Sequence, residues 1–95
     1  MDFNIIKGKS ILTNIADDYS GVLNVGDVSY INNGIYLCQI SATNTTIAPT
    51  LKLNGLAVSP IKKNDNTSVA IGDLVINGWY LFMFDAINLT FLKLN

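Results

Sequence analysis

The stretch Trp79-Tyr80-Leu81-Phe82-Met83-Phe84-Asp85, entered through Asn77-Gly78, decides the fold. Successive residues of a strand point to opposite faces. One face therefore carries Tyr80, Phe82 and Phe84, and the other Trp79, Leu81, Met83 and Asp85. Both are apolar, which predicts a central strand buried on both sides.

Outward from this segment the same grammar repeats. Asn32-Asn33-Gly34, Asn54-Gly55 and Asn77-Gly78 pair Asn with Gly. Such pairs tolerate the positive φ of two-residue hairpin turns and are expected to join antiparallel strands. Gly8-Lys9, Ser20-Gly21, Gly26-Asp27 and Gly72-Asp73 mark further turns, and Asn64-Asp65-Asn66-Thr67 a polar loop. Strands are expected at Asn4-Ile6, Ser10-Ile15, Gly21-Val25, Val28-Ile31, Gly34-Ser41, Thr50-Asn54, Leu56-Ile61, Ser68-Ile71, Leu74-Ile76, Trp79-Asp85 and Leu89-Leu94. In Thr50-Asn54, Leu51 and Leu53 face one way and Lys52 the other, as in a half-exposed strand. Helix formers are scarce, with one Gln, six Ala and no Glu or Arg, whereas Ile, Val, Thr, Tyr and Phe suit a pleated sheet. The expected fold is all-β: one compact antiparallel β-sandwich or small barrel with short hairpins, spanning residues 1–95 as a single domain.

Composition narrows the chemistry. The 95 residues include no His, so there is no imidazole base and no Ser-His relay. No Arg is present to clamp phosphate or carboxylate in two-pronged fashion. Charge comes from seven Asp and six Lys alone, a net of −1. Charged residues make up 14% of the chain, so apolar surface covered by partner subunits and an Asn/Thr/Ser surface are both open readings. Six scattered Lys do not make a phosphate track, so no nucleic-acid partner is expected. The longest apolar run, Trp79 to Phe84, falls well short of the ~18 residues that span a bilayer, and no membrane partner is expected. Met1-Asp2-Phe3-Asn4 lacks the basic start of a signal peptide. The single Cys38, within Ile35-Tyr36-Leu37-Cys38-Gln39-Ile40, excludes an internal disulfide and reads as a small buried apolar residue.

Candidate reactive groups are few. Asp17-Asp18 is the only adjacent acidic pair and is expected in a solvated turn. Asp27 and Asp73 each follow a Gly, and Asp85 closes an apolar strand; all three suit local turn bonding. No two of them stand out as the carboxylate pair of a glycosidase. The hydroxyls of Thr43-Asn44-Thr45-Thr46 lack a base. No catalytic residue, metal ligand or cofactor is therefore expected. Trp79, Tyr80, Tyr36, Tyr30 and Tyr19 remain as candidates for glycan or subunit contact, with core packing as the alternative for each.

A resemblance adds to this reading. Ala48-Pro49-Thr50-Leu51-Lys52-Leu53-Asn54-Gly55-Leu56-Ala57-Val58-Ser59-Pro60-Ile61 resembles a unit of phage and prophage tail-fibre proteins. The matching pattern has a leading strand with a Gly shortly before a Tyr, answered here by Gly34-Ile35-Tyr36 through Ile40, with one residue between Gly and Tyr where the pattern has two, and then by Ala42-Thr43-Asn44-Thr45. Its trailing part is met by Gly72-Asp73-Leu74, Gly78, Tyr80 to Asp85 and Phe91-Leu92. The resemblance runs from about Gly21 to Asn95, leaving residues 1–20 as N-terminal strands or a docking segment. Ala86 and Ala57 stand where the pattern usually has Gly. The resemblance implies a non-catalytic structural protein of a virion, associated with tail fibres or another host-contact appendage. It also implies a homotrimer, other virion proteins as partners, and a host-surface glycan as a further candidate partner. Relatives are usually segments of long fibres, whereas this chain starts at Met1, so a small stand-alone virion protein or one subunit docking on a larger assembly is expected. The alternatives are a capsid decoration or head-fibre protein, and a carbohydrate-binding module.

Overall fold

The structure, a computed structural model, describes residues 6–23 and 33–94. Eight strands make up the described fold, which has no helix: β1 (Ile6–Ile11), β2 (Thr13–Ile15), β3 (Asp18–Gly21), β4 (Ile35–Gln39), β5 (Thr50–Leu53), β6 (Ser59–Lys63), β7 (Trp79–Asp85) and β8 (Thr90–Lys93). They form one sheet in the order β1-β4-β7-β8-β6-β5-β3-β2. The two ends of that order, β1 and β2, are separated along the chain only by Leu12. A single bent strand thus pairs with β4 through its first half and with β3 through its second. This nearly closes the sheet into a small barrel and leaves little exposed strand edge.

The all-β, single-globule expectation holds. The pairing, however, is mixed and not wholly antiparallel: β1–β4, β3–β5 and β6–β8 run parallel. The reason lies in the connections. β2–β3, β5–β6 and β7–β8 follow each other through short loops, and short loops enforce antiparallel neighbours. The other strands find partners across the barrel.

Asn-Gly pairs do supply positive φ, but they build turns more than hairpins. Asn54 and Gly55 both have positive φ, and Leu56 N–H closes the turn on the Leu53 carbonyl. The first pair between β5 and β6 is nevertheless Leu51 with Ser59, so the connection is longer than a two-residue hairpin. Asn77 has positive φ at the turn that feeds β7. Gly78 serves there for room: a Cβ would lie 2.8 Å from the Tyr80 ring and 3.0 Å from the Val75 carbonyl oxygen. Asn33 also has positive φ, just before β4. In the β7–β8 loop the positive φ falls on Leu89, not on Ala86.

The strands expected at Ser68-Ile71 and Leu74-Ile76 are loop, apart from one bridge between Lys62 and Ser68. The strand expected at Val28-Ile31 and parts of those at Asn4-Ile6 and Gly21-Val25 lie outside the described residues.

The core is the barrel interior. Tyr36 and Cys38 of β4, Phe82 and Phe84 of β7, Phe91 of β8, Ile61 of β6, Leu51 and Leu53 of β5, and Tyr19 of β3 all point into it. Phe91 is its aromatic centre, edge-on to Tyr36 at 5.9 Å and to Phe84 at 5.3 Å between ring centroids. Lys52 is exposed between Leu51 and Leu53, as its alternation requires. β7 is central, but its two faces are unequally buried. Phe82 and Phe84 are buried, Leu81 and Met83 are half-buried, and Trp79 is exposed. Cys38 is fully buried, and that burial pushes its thiol pKa up to about 12.

Where β1 passes into β2, Gly21 of β3 comes so close that a Cβ would lie 2.3 Å from Ser10 Oγ and 2.7 Å from Leu12 Cδ2. Gly21→Ala is therefore expected to cost about 2 kcal/mol by overpacking, read as a lower urea midpoint at unchanged slope. The opposite effect is expected in the β2–β3 hairpin, where Ala16 is exposed at φ 51°. Left-handed backbone costs a non-Gly residue about 1 kcal/mol or more. Ala16→Gly should raise the melting temperature, by a few degrees for a gain of roughly 0.5 kcal/mol.

Candidate functional site

The described carboxylates all accept hydrogen bonds, those of Asp17, Asp65, Asp73 and Asp85 from backbone N–H groups and that of Asp18 from a side-chain hydroxyl. Asp17 was expected in a solvated turn; it is instead buried beneath the 43–49 loop. Its Oδ1 and Oδ2 accept from Thr45 N–H at 2.9 and 3.1 Å, and Oδ1 accepts from Thr45 Oγ1 at 3.2 Å. Oδ2 also accepts from Thr46 N–H and Thr46 Oγ1, both at 2.7 Å. Burial alone would raise this carboxyl's pKa, but the four kinds of donation from Thr45 and Thr46 outweigh it and hold the pKa below its ordinary value. Asp18 opens β3 and accepts from Thr50 Oγ1 at 2.8 Å. Asp65 accepts from Thr67, Asp73 from Ala70 N–H, and Asp85 from Ile87 N–H and Asn88 Nδ2. Among the described residues no three His, Cys, Asp or Glu side chains converge. Asp27 lies outside the described residues.

Asn44 acts as a second anchor beside Asp17. Fully buried, it donates through Nδ2 to the Thr46 and Ala70 carbonyls and accepts Leu74 N–H on Oδ1. This ties the 43–49 loop to the 70–75 loop, where strands had been expected. The hydroxyl-rich Thr43 to Thr46 segment is thus a structural latch.

The five candidate aromatics separate by burial. Tyr36 lies in the core and leaves 1% of its surface exposed. Tyr19, equally buried, donates its hydroxyl to the Ala42 carbonyl. Burial first, and the nearby Asp17 charge second, push its pKa up to about 12. Tyr80 is half-buried; its hydroxyl accepts Val75 N–H at 2.9 Å, and Lys93 Nζ lies 5.2 Å from its ring centroid. Tyr30 lies outside the described residues. Trp79, 42% exposed, is the candidate ring turned to solvent.

Trp79 does not stand alone. Register aligns Ile11 of β1, Gln39 of β4 and Trp79 of β7 in one row across three neighbouring strands. Register neighbours share a face, so all three lie on the barrel's outer wall. Gln39 Nε2 is fixed by donation to the Asn77 carbonyl at 3.1 Å. Ile11 is 69% exposed and Val22, across the seam in the chain following β3, is 77% exposed. β2 and β3 pair only as far as Thr13 with Ser20. Around that pair a groove of about 520 Å³ lies over Ser10, Ile11, Thr13, Ser20, Gly21, Val22, Lys52 and Gly55. A contiguous depression bounded by Lys9, Ile11, Val22 and Trp79 extends it to the tryptophan.

Among the described residues this arrangement sets an exposed indole at one end of a groove and brings no nucleophile together with a base. Of its residues only Trp79 was singled out from sequence. Ile11, Val22, Gln39 and Lys52 are ordinary strand residues whose convergence depends on a register joining stretches far apart in the chain. Against protein-family models, curated proteins and solved structures, the chain finds no match.

Proposed function

We propose that this protein is a non-catalytic structural component of a bacteriophage particle, associated with tail fibres or another host-contact appendage. The observation that carries the reading is the ordered set of fibre-like motifs and the structural work each does. Gly34 to Ile40 contains β4, and Asn44 is the buried anchor. Thr50 to Ile61 spans β5 and the start of β6, with Pro60 exposed. Asp73 and Leu74 complete the loop that Asn44 holds. Tyr80 to Asp85 and Phe91-Leu92 are the adjacent β7 and β8. The motifs thus all fall within one eight-stranded sheet and the loops that join its strands.

A second support is apolar surface on the loops. Ile47, Ile71, Val75 and Ile76 are each at least half exposed on the two loops that Asn44 joins, and Ile87 and Leu89 on the β7–β8 loop. Such residues suit contact with neighbouring subunits, in keeping with the homotrimer that the resemblance implies.

The test is direct. Mass spectrometry of purified particles should detect the protein, and immunogold labelling should place it on the tail. Labelling on heads would instead favour the capsid-decoration alternative, and absence from purified particles would defeat both. Sedimentation should give an assembly larger than a monomer.

A further inference from the structure

We infer that Asn54 is a site of self-modification, at which the backbone nitrogen of Gly55 closes onto the Asn54 side-chain amide and expels ammonia. The new bond joins Gly55 N to Asn54 Cγ. The Gly55 amide proton passes through solvent to the departing Nδ2, and the Cγ–Nδ2 bond breaks to leave a succinimide. Water then adds to one of the two imide carbonyls. Opening at Cγ gives aspartate; opening at the former backbone carbonyl gives isoaspartate, whose main chain runs through one extra methylene. The chemistry needs only water and no partner, so it is independent of the particle reading above.

The β5–β6 turn supplies all three parts of this reaction. Gly55 offers the nucleophile. The turn closes from Leu56 N–H to the Leu53 carbonyl, and among the described residues no acceptor takes Gly55 N–H. Gly55 is exposed, and a Cβ built on it would meet nothing within 4 Å, so its peptide has room to rotate toward the side chain. Asn54 offers a polarised carbonyl. Its Oδ1 accepts Leu23 N–H at 2.7 Å, which draws electron density from Cγ and stabilises the oxyanion that forms there. The leaving group is unrestrained: Asn54 Nδ2 is buried with no acceptor among the described residues. Its departure removes an unsatisfied buried donor.

The fold locks the same dipeptide elsewhere. Gly78 N–H itself closes a turn, on the Val75 carbonyl at 2.9 Å, and Gly78 is crowded by the Tyr80 ring. The Asn77 carbonyl is held by Gln39 Nε2, and Asn77 N–H by the Ile40 carbonyl. At Asn33-Gly34 the strand β7 clasps both residues: Asn33 N–H donates to the Phe84 carbonyl, and the Gly34 carbonyl accepts Phe84 N–H. Gly34 is also buried. Modification at Asn54 has a structural consequence. Leu23 is a core residue, and its N–H ties the chain leaving β3 to the β5–β6 turn through Asn54. An isoaspartate lengthens the main chain at that tie and loosens it.

The experiment incubates the full folded chain at mildly alkaline pH and body temperature. Proteolysis and mass spectrometry then follow the three Asn-Gly peptides, reading the loss of ammonia in the succinimide and the entry of water in its products. The peptide carrying Asn54 should convert about tenfold faster than those carrying Asn33 or Asn77, the ratio that one hydrogen bond's worth of barrier makes. In urea strong enough to unfold the chain, the three rates should converge, because the folded turn is what sets them apart. Asn54→Gln, whose longer side chain closes a slower-forming ring, should stay unmodified at that position over the same time. In the isoaspartyl chain, hydrogen exchange at the Leu23 amide should be faster than in the unmodified chain. Conversion of folded Asn33 or Asn77 as fast as that of Asn54 would overturn the site, and so would an Asn54 that reacts only when unfolded. Unchanged Leu23 exchange in the isoaspartyl chain would overturn the tie. The parent chain, folded and unfolded, is its own reference, so the result does not depend on the folding of a variant.

Discussion

Phe91→Ala should lower stability by about 4 kcal/mol, the largest effect expected of any single substitution considered for this chain. Phe91 leaves no surface exposed and packs edge-on against Tyr36 and Phe84. It joins β8 to β7 through its register with Phe84, and β8 to β6 through its register with Ile61. Truncation removes the ring's transfer energy and leaves a cavity whose walls belong to three strands, so they cannot collapse together. Small domains have only about 5–15 kcal/mol in total, so the variant should be marginal at 37 °C, with a midpoint depressed on the order of 20 °C. Phe91→Leu should recover about half the loss. Urea unfolding monitored by circular dichroism measures both. Equal midpoints for parent and Phe91→Ala would mean that Phe91 is not at the core.

The second large effect is expected at Asp17. Asp17→Ala should cost about 3 kcal/mol, because it leaves the Thr45 and Thr46 amides without their acceptor beneath a closed loop. Asp17→Asn keeps the shape and one acceptor oxygen and should cost less. The same site sets an acid limit. Its pKa in the folded state lies below the ordinary value of 3.8, so ionised Asp17 favours folding. That contribution is complete above the ordinary pKa and is lost as pH falls through the lower, folded-state value. Stability should therefore fall below about pH 4, more steeply in the parent than in Asp17→Asn. Denaturant midpoints measured between pH 6 and 2 decide this. Parallel curves for the two proteins would remove Asp17 from the explanation.

Much of the fold was legible because alternation is a local property. Trp79–Asp85 was placed to the residue as β7, and Leu51, Lys52 and Leu53 face as their spacing requires. Asn54 and Asn77 took the positive φ that Asn-Gly foretold. Expectation went wrong where a residue's partner lies far away in sequence. Asp17 has the composition of a turn residue, but its acceptors meet donors 28 and 29 residues on. Leu74-Ile76 has the composition of a strand, but Asn44 holds it as loop from 30 residues away. Among the candidate rings, identity could not separate Tyr19 and Tyr36 from Trp79. In a strand both faces can be apolar, and only the assembled barrel says which one meets solvent.

The amino-acid sequence by itself determined that this chain builds strands, where several of its turns fall, and that its chemistry lacks imidazole and guanidinium. Those properties follow from residue type and spacing within a few positions. The tertiary structure decided the rest: the parallel pairings, the bend at Leu12 that nearly closes the sheet, the burial of Asp17, and the meeting of Trp79 with Ile11, Gln39 and Val22 on one outer wall. Strand order and register arise from competition among all the strands for partners and for one shared interior. No single stretch of the chain carries that information.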